Sequence, residues 1–266
     1  MEKGGTKLSK YRKMEKDIWK RVYFDGCYMK PYLFFVLFGT DKMDNLVVSK
    51  SKHNIDGMPD ELKIINYSKS KNEEQKKYIE SFYDEYFGSS LKEKSRALYE
   101  KVINCNSITI IKGEFDDTDS LNYLKNSIGI MQAVIETNIV AVLDLQIFEW
   151  YEPNEWTKKY FEPKAPNSFN HVKILFSEEG EDIWLHTRGM RKFGRPDLSI
   201  RKVSPNKKEL GLEIINRYIQ AFAYGLKPDE TKEIWIKGME NGVYGKILGD
   251  YENLDFNNYY FEIEEI

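Results

Sequence analysis

The stretch that decides the fold class is residues 139–148, which read Ile-Val-Ala-Val-Leu-Asp-Leu-Gln-Ile-Phe. The run is almost continuously apolar, which is typical of a central strand that is buried on both faces. Residues 107–115 (SITIIKGEF) predict a second strand, and apolar residues recur at helical spacing within residues 121–135, between the two strands. Strands and helices mixed in this way predict an α+β fold, in which a mixed sheet is packed by helices.

The chain on either side of this centre predicts further elements. Residues 1–24 have a loose helical pattern, and residues 31–38 (PYLFFVLF) predict a buried strand. We expect one helix to end at Gly88 and the next to begin with the capping box Ser90-Leu-Lys-Glu93. Asn241-Gly242 predicts a hairpin turn. The predicted regions are a helical and strand-containing N-terminal region, a central α+β domain and a small C-terminal β appendage, at residues 1–105, 106–225 and 226–266.

The composition excludes several classes of protein. Of the 266 residues, 41% are hydrophobic and 14% are aromatic, which is too much for a disordered chain. The formal net charge of −3 argues against nucleic acid as a partner. Cys27 and Cys105 cannot form a disulfide framework. No apolar run approaches the ~20 residues that span a bilayer, and residues 1–21 hold no apolar signal segment, so we predict a cytoplasmic protein with no membrane partner.

Familiar catalytic motifs do not occur in the sequence. There is no HExxH, GxSxG, GxGxxG or EF-hand loop. The segment Gly189-Met-Arg-Lys-Phe-Gly-Arg-Pro196 has the glycine spacing of a phosphate loop, but Arg195-Pro196 stands where Lys-Ser/Thr would hold phosphate and magnesium. Pro196 also lacks a backbone N–H that could donate to a phosphate. We therefore expect no nucleotide hydrolysis, no cofactor and no metal ion.

Residues 171–188 predict a β-hairpin whose open end is basic. If residues 178–181 form the loop, Ser177 pairs with Asp182, and a slip by one residue would mix apolar and polar faces. In this register His171 lies opposite Arg188. The predicted faces are Val172, Ile174, Phe176, Ile183, Leu185 and Thr187 on one side, and His171, Lys173, Leu175, Trp184, His186 and Arg188 on the other, with Lys173 opposite His186.

The polar face and the segment after it make a candidate site, which we name the basic patch. Arginine donates bidentate hydrogen bonds to carboxylates and phosphates, and histidine changes charge near neutral pH, so the basic patch predicts binding of a small anion or an acidic protein partner. The alternative is a charged corner in which Asp197 pairs with an arginine. The basic patch comprises Lys173, Trp184, Arg188, Arg191, Lys192 and Arg195, beside His171 and His186.

Asp144 interrupts the apolar run of residues 139–148, and a buried carboxylate is costly unless it is paired. Asp144 is therefore a candidate to orient His186 or Arg188, or it lies in water at the end of its strand. His171, His186 and Asp144 are the candidate catalytic groups. A metal triad of the same three residues is a weaker hypothesis, because no spacing requires it.

Two stretches resemble families of bacterial domains of unknown function. Residues 139–200 contain a strand that ends in Asp144, and a later segment with the pattern T-x-G-M…F-G-x-P-x-L. Residues 232–266 are similar to the tail of a second such family. Families of this kind often lie in toxin–immunity loci, so the resemblance implies a partner-binding role and supplies no catalytic residues. The matching residues are Thr187, Gly189, Met190, Phe193, Gly194, Pro196 and Leu198, and in the tail Trp235, Gly245 and Phe261.

The first functional expectation is a non-enzymatic protein-binding module, such as a bacterial immunity protein that neutralises a toxin. The alternative is an enzyme that acts on an anionic or phosphate-bearing substrate at His171, His186 and Arg188. A pocket with convergent polar groups would favour the enzyme, whereas a flat surface would suit the binding protein. The predicted core comprises Phe35, Val36, Phe82, Ile110, Leu124, Ile128, Met131, Val142, Leu143, Ile174, Leu185, Ile214, Tyr218 and Phe222.

Overall fold

The computed structural model describes residues 18–39, 46–235 and 239–266. Within these ranges the strands form two five-stranded sheets with helices packed against them, which confirms the α+β class. The described part of the chain contains no helix that is both long and apolar enough to cross a membrane.

The first sheet is antiparallel and has the strand order β2-β3-β1-β4-β5. Its central strand, β1, is buried on both faces because successive side chains point to opposite sides. Phe35 and Leu37 enter one apolar cluster, and Val36 and Phe38 enter another. The strands are β1 (Tyr32–Gly39), β2 (Lys63–Ser68), β3 (Ser107–Glu114), β4 (Ala141–Asp144) and β5 (Glu149–Tyr151).

The second sheet is mixed and has the order β6-β7-β8-β10-β9. Strands β8 and β10 are parallel, and the other neighbours are antiparallel. The strands are β6 (Lys173–Glu179), β7 (Asp182–Arg188), β8 (Asp197–Val203), β9 (Gly245–Asp250) and β10 (Asn258–Ile263).

Helices cover the apolar faces of both sheets. Helices α1, α2 and α3 contribute to the cluster that holds Val36 and Phe38. Helices α4 and α7 contribute to the larger cluster, which also includes residues from both sheets, so the main core lies among these elements. The helices are α1 (Glu73–Glu80), α2 (Glu85–Lys94), α3 (Arg96–Ile103), α4 (Asn122–Ile135), α5 (Pro153–Trp156), α6 (Ser168–His171) and α7 (Lys208–Ala223); a π-helical turn follows α5 at Thr157–Phe161, and 3₁₀ turns lie at Met190–Phe193 and Pro205–Lys207.

Strand pairing crosses both of the boundaries that the sequence suggested. Strands β1 and β2 precede residue 105 and pair with β3 and β4, which follow it. Strand β10 belongs to residues 226–266 and pairs with β8 of the central region. Of the predicted N-terminal helix, residues 1–17 lie outside the described residues, and Ile18 to Phe24 form turns around a single bridge between Lys20 and Ser120.

The predicted helix boundaries near residue 90 are wrong. Helix α2 runs through Gly88 and past Ser90, and the next helix is capped by Ser95, whose side chain accepts a hydrogen bond from the Leu98 amide. Gly88 does not end a helix. It allows the backbone to pass close to the carbonyl oxygen of Tyr83, from which a Cβ at this position would lie only 2.0 Å away.

The predicted hairpin at residues 171–188 exists, but its register differs by two residues. Glu179 pairs with Asp182 around a tight turn at Gly180, which has a φ of 70°. Lys173 therefore lies opposite Arg188, and His186 lies opposite Leu175. The predicted pairing of His171 with Arg188 is wrong. A shift of two residues keeps every side chain on its face, so the apolar pattern cannot distinguish the two registers.

The predicted core is largely confirmed. All of its members are buried except Ile174 and Tyr218, which are half-buried and pack against the main cluster. The predicted strand at residues 139–148 is shorter than expected, because the chain turns after Asp144 and forms β5 only from Glu149 onwards.

Candidate functional site

Lys192 of the basic patch points into the protein and pairs with Asp144. Its Nζ lies 2.5 Å from Asp144 Oδ2, and both side chains have 0% exposure. Lys192 Nζ also donates to the carbonyl oxygen of His171 at 3.0 Å, and Asp144 Oδ1 accepts from the Gln146 amide at 3.1 Å. Burial lowers the pKa of Lys192 and raises the pKa of Asp144, and the opposite charge of the partner counters each shift. The pair ties the segment after β7 to the end of β4.

Arg195 is buried in a second ionic cluster. Its Nη1 donates to Asp117 Oδ2 at 2.8 Å, while Nε and Nη2 donate to the carbonyl oxygens of Leu226 and Gly225 at 2.9 and 2.8 Å. Arg21 pairs with the other oxygen of Asp117. Sequence reasoning missed both Arg21 and Asp117. Neither residue lies in a pattern that indicates a buried ion pair: Asp117 is one of three aspartates in residues 116–119, and Arg21 is one of eight Lys/Arg in residues 1–21.

The two histidines lie in different surroundings. His171 ends helix α6 and is buried among rings, with centroid distances of 4.9 Å to Tyr160 and 5.9 Å to Phe193. Burial, with Lys192 as a nearby cation, holds the pKa of His171 well below its usual value of 6.5. The imidazole is therefore neutral and enclosed, and the described structure does not place it beside Arg188 as the sequence suggested.

His186 stacks on Trp184 with a centroid distance of 3.9 Å and meets the edge of Phe256 at 5.8 Å. Burial, with Arg188 as the next cause, lowers the pKa of His186 to about 4. Trp184 is fixed by a 2.7 Å hydrogen bond from its Nε1 to Ser199 Oγ. Trp184 and His186, which the sequence assigned to the basic patch and its surroundings, thus lie on one side of the second sheet and belong to an aromatic cluster with Phe256.

Lys173 and Arg188 lie opposite each other and have different partners. Lys173 Nζ donates to Glu149 Oε2 at 2.8 Å. Arg188 is half-buried, with its guanidinium carbon 4.4 Å from the centroid of Phe148, and within the described residues no carboxylate lies within ion-pair distance of it. One Nη2 contact of Arg188, to the Leu254 carbonyl oxygen, is long at 3.5 Å.

A cavity of about 350 Å³ lies next to Arg188, between the two sheets. Its walls come from the start of β1, from the β4–β5 turn, from the segment after β7 and from the β9–β10 loop. The wall is strongly aromatic and contains one cation. The lining residues are Tyr32, Phe34, Leu145, Gln146, Phe148, Gly189, Arg191, Asp197, Tyr251, Phe256 and Asn257.

Arg191 is the cation of this cavity, and its guanidinium is held between two tyrosine rings. The guanidinium carbon lies 4.6 Å from the centroid of Tyr32 and 4.1 Å from that of Tyr251. Nη1 donates to the carbonyl oxygen of Asn257 at 3.2 Å. Nε is buried and has no hydrogen-bond partner among the described residues, and Nη2 has none there either. Burial raises the pKa of both tyrosines, so neither phenol neutralises Arg191.

Left-handed backbone recurs around the cavity. Phe148 has a φ of 55°, Asn257 a φ of 52° and Gly189 a φ of 112°. At Gly189 a side chain would also clash, because a Cβ would lie 2.3 Å from the carbonyl oxygen of His171. Glycine and asparagine adopt this region readily, but a bulky residue such as Phe148 does so at a cost. Strained positions of this kind concentrate at ligand sites.

Asp197 lies at the start of β8 and lines the cavity, and both of its carboxylate oxygens accept hydrogen bonds from protein groups. Oδ1 accepts from Thr187 Oγ1 at 2.9 Å and from the Met190 amide at 3.2 Å, and Oδ2 accepts from Asn258 Nδ2 at 2.9 Å. Burial raises the pKa of Asp197 to about 6, although these donors oppose the shift. The expected pairing of Asp197 with an arginine is absent among the described residues, where its oxygens meet neutral groups.

Comparisons with known proteins add no further assignment, because no family model, no curated protein and no solved structure matches this chain. The resemblance to bacterial domain families therefore stays a prediction. Within the ranges 18–39, 46–235 and 239–266, no group of three or more His, Cys, Asp or Glu residues is placed to hold a metal ion.

Proposed function

We propose that the protein is a non-enzymatic binding protein that holds an anionic group of its ligand against Arg191 in the aromatic cavity. One observation carries the proposal: Arg191 lines the cavity with no acid partner among the described residues, and its Nη2 has no hydrogen-bond partner there. Such a guanidinium donates strong, charge-assisted hydrogen bonds to the oxygens of a carboxylate or phosphate.

The surroundings of Arg191 support this proposal. Two tyrosine rings hold the plane of the guanidinium, and the hydrogen bond to Asn257 fixes its far end. Preorganisation of this kind lowers the entropy that binding costs. The tyrosine rings on either side of Arg191 also lower the local polarity, which strengthens a charge–charge contact.

The alternative function, an enzyme acting at His171, His186 and Arg188, has less support. None of these three residues lines the cavity, and His171 is enclosed in the core. Asp197 does line it, but both of its oxygens already accept hydrogen bonds from protein groups. An acid–base catalyst needs a free atom within hydrogen-bond reach of the substrate. The concave shape, which we expected to favour an enzyme, therefore serves binding in this proposal.

The test is calorimetric titration of the purified protein with inorganic phosphate and with acetate over a series of salt concentrations. We expect Arg191→Gln to weaken binding of either anion by about 10-fold or more, since hydrogen bonds to a charged group contribute about 1.5–3 kcal/mol each. Arg217→Gln is the matched control, because Arg217 is exposed and pairs with Glu213 on the surface of α7.

Equal affinities of wild type and Arg191→Gln for both anions would contradict the proposal. A protein partner remains the second possibility that the sequence raised. If neither anion binds but a partner with an acidic surface does, and if that binding is lost in Arg191→Gln, the cavity receives an acidic side chain of the partner and the immunity hypothesis gains support.

A further inference from the structure

Phe148 has an unusual backbone for its residue type. Its φ of 55° lies in the left-handed region, which glycine and asparagine occupy at little cost and which is rare for a bulky side chain. The turn between β4 and β5 would form more easily with either of those residues. A strained residue persists only where the surrounding structure holds it in place, and such residues concentrate at ligand sites.

The ring of Phe148 contacts three side chains that do not line the cavity. The guanidinium of Arg188 lies 4.4 Å from its centroid, and Phe87 and Tyr86 meet it edge to face at 5.2 and 5.8 Å. Phe256 stacks on Tyr260, with a centroid distance of 4.5 Å and an angle of 16° between the ring planes. Both phenylalanines thus line the cavity, and contacts with neighbouring side chains hold each ring in place.

The size of the cavity limits what these rings can contact. About 350 Å³ lies near the lower end of the roughly 300–1,000 Å³ that small-molecule sites occupy. One ring and its anionic substituent suit this volume, whereas a dinucleotide does not.

From these observations we infer that the ligand is a single-ring aromatic anion, a carboxylate or a phosphate monoester, whose ring contacts Phe148 while its anionic group accepts a hydrogen bond from Nη2 of Arg191. The inference rests on the proposed function and names its ligand class. Flat rings prefer offset or edge-to-face contact with phenylalanine, and the aromatic wall offers both.

Calorimetry with four probes tests the inference: phenyl phosphate and benzoate carry the ring, and inorganic phosphate and acetate do not. We expect wild type to bind each ring-bearing probe about 10-fold more tightly than its counterpart, the order of magnitude of one stacked ring. The better of phenyl phosphate and benzoate then identifies the anionic group as phosphate or carboxylate.

Phe148→Asn removes the ring and suits the left-handed backbone, so relief of backbone strain offsets part of the stability that is lost with the ring contacts. The preference for ring-bearing probes should fall to about one, with the affinity for inorganic phosphate unchanged. Phe148→Leu is the second variant should Phe148→Asn not fold, since it keeps apolar bulk without a flat ring. Phe169→Asn is the matched control, because Phe169 is an exposed ring outside this cavity.

The outcomes separate this inference from the proposed function. If wild type binds phenyl phosphate and benzoate no better than inorganic phosphate and acetate, or if Phe148→Asn and Phe148→Leu keep the preference, the inference is wrong. The proposed function still stands in that case if Arg191→Gln weakens binding of inorganic phosphate. If Arg191→Gln leaves all four affinities unchanged, both are overturned.

Discussion

Removing the ammonium of Lys192 tests whether the buried pair with Asp144 is structural. In Lys192→Met the carboxylate of Asp144 stays at 0% exposure, and the Gln146 amide is one of the few donors left to it. The carbonyl oxygen of His171 loses its donor as well. Breaking a buried pair by removing one partner costs about 3–5 kcal/mol, because it leaves an uncompensated charge. At about 2–4 °C per kcal/mol for a chain of this size, the melting temperature should fall by about 6–20 °C.

The assay is urea unfolding followed by tryptophan fluorescence, since Trp150 and Trp156 are buried. Lys173→Met is the matched control: Lys173 pairs with Glu149, but the two side chains are 40% and 30% exposed, and such a pair contributes about 0–1 kcal/mol. A free energy of unfolding for Lys192→Met as close to wild type as that of Lys173→Met would refute the reasoning.

The double variant Lys192→Met/Asp144→Asn, together with the two single variants, forms a double-mutant cycle that measures the coupling of the two side chains. With the charge of Asp144 removed, the double variant should be more stable than Lys192→Met alone, so the two effects are strongly non-additive. The pH dependence gives a second check. Burial already raises the pKa of Asp144, and loss of Lys192 raises it further, so the deficit of Lys192→Met should shrink as the pH falls and the carboxyl takes up a proton. Additive single effects would mean that the two groups are not coupled.

Three further predictions concern the core and the titrating groups. Ile214→Ala should lower the free energy of unfolding by about 2–5 kcal/mol in urea, since the side chain is fully buried on α7; melting like wild type would mean that α7 is not packed as described. The pKa of Asp197 is raised from 3.8 to about 6, so its stabilising contribution is complete at low pH and is lost as the pH rises through about 6. The loss amounts to about 3 kcal/mol of the free energy of unfolding. Urea titrations over this pH range should show the loss in wild type and not in Asp197→Asn. The pKa of His186 is lowered from 6.5 to about 4, so its contribution is present at high pH and is lost as the pH falls through about 4; His186→Phe, measured in the same way, should lack this acid-side loss.

The sequence predicts those parts of the fold in which apolar residues form a continuous run or recur with a helical period. The apolar run of β1 and the helical spacing in α4 identified these elements and part of the core, because a buried strand is apolar on both faces and a helix puts residues at fixed spacing on one face. The same logic assigned the faces of the β6–β7 hairpin correctly. It could not decide the register, because the turn at Gly180 shifts the partners by two residues and leaves the faces unchanged.

The candidate site was harder to predict because its residues lie where no period exists. After β7 the chain passes Gly189 and Gly194, both in left-handed conformations, and makes a 3₁₀ turn between them. Side-chain directions in such a segment follow from the individual backbone angles, and these are not readable from spacing. Phe148 gave no signal either, since a phenylalanine at the end of an apolar run predicts a core residue.

Cations that are close in sequence need not form a cationic surface, and the segment from Arg188 to Arg195 shows why. Lys192 and Arg195 turn inward to Asp144 and Asp117, acids from the β4 and β3–α4 regions that no local pattern connects to them. Arg191 lies directly before Lys192 and has no such acid among the described residues. The two buried pairs fix the turn on which Arg191 sits, so its guanidinium is presented to the cavity by a rigid support. The structural and the functional interpretations of the basic patch therefore apply to different residues of one segment: Lys192 and Arg195 hold the turn through their buried pairs, and Arg191 is the cation that we propose to bind the ligand.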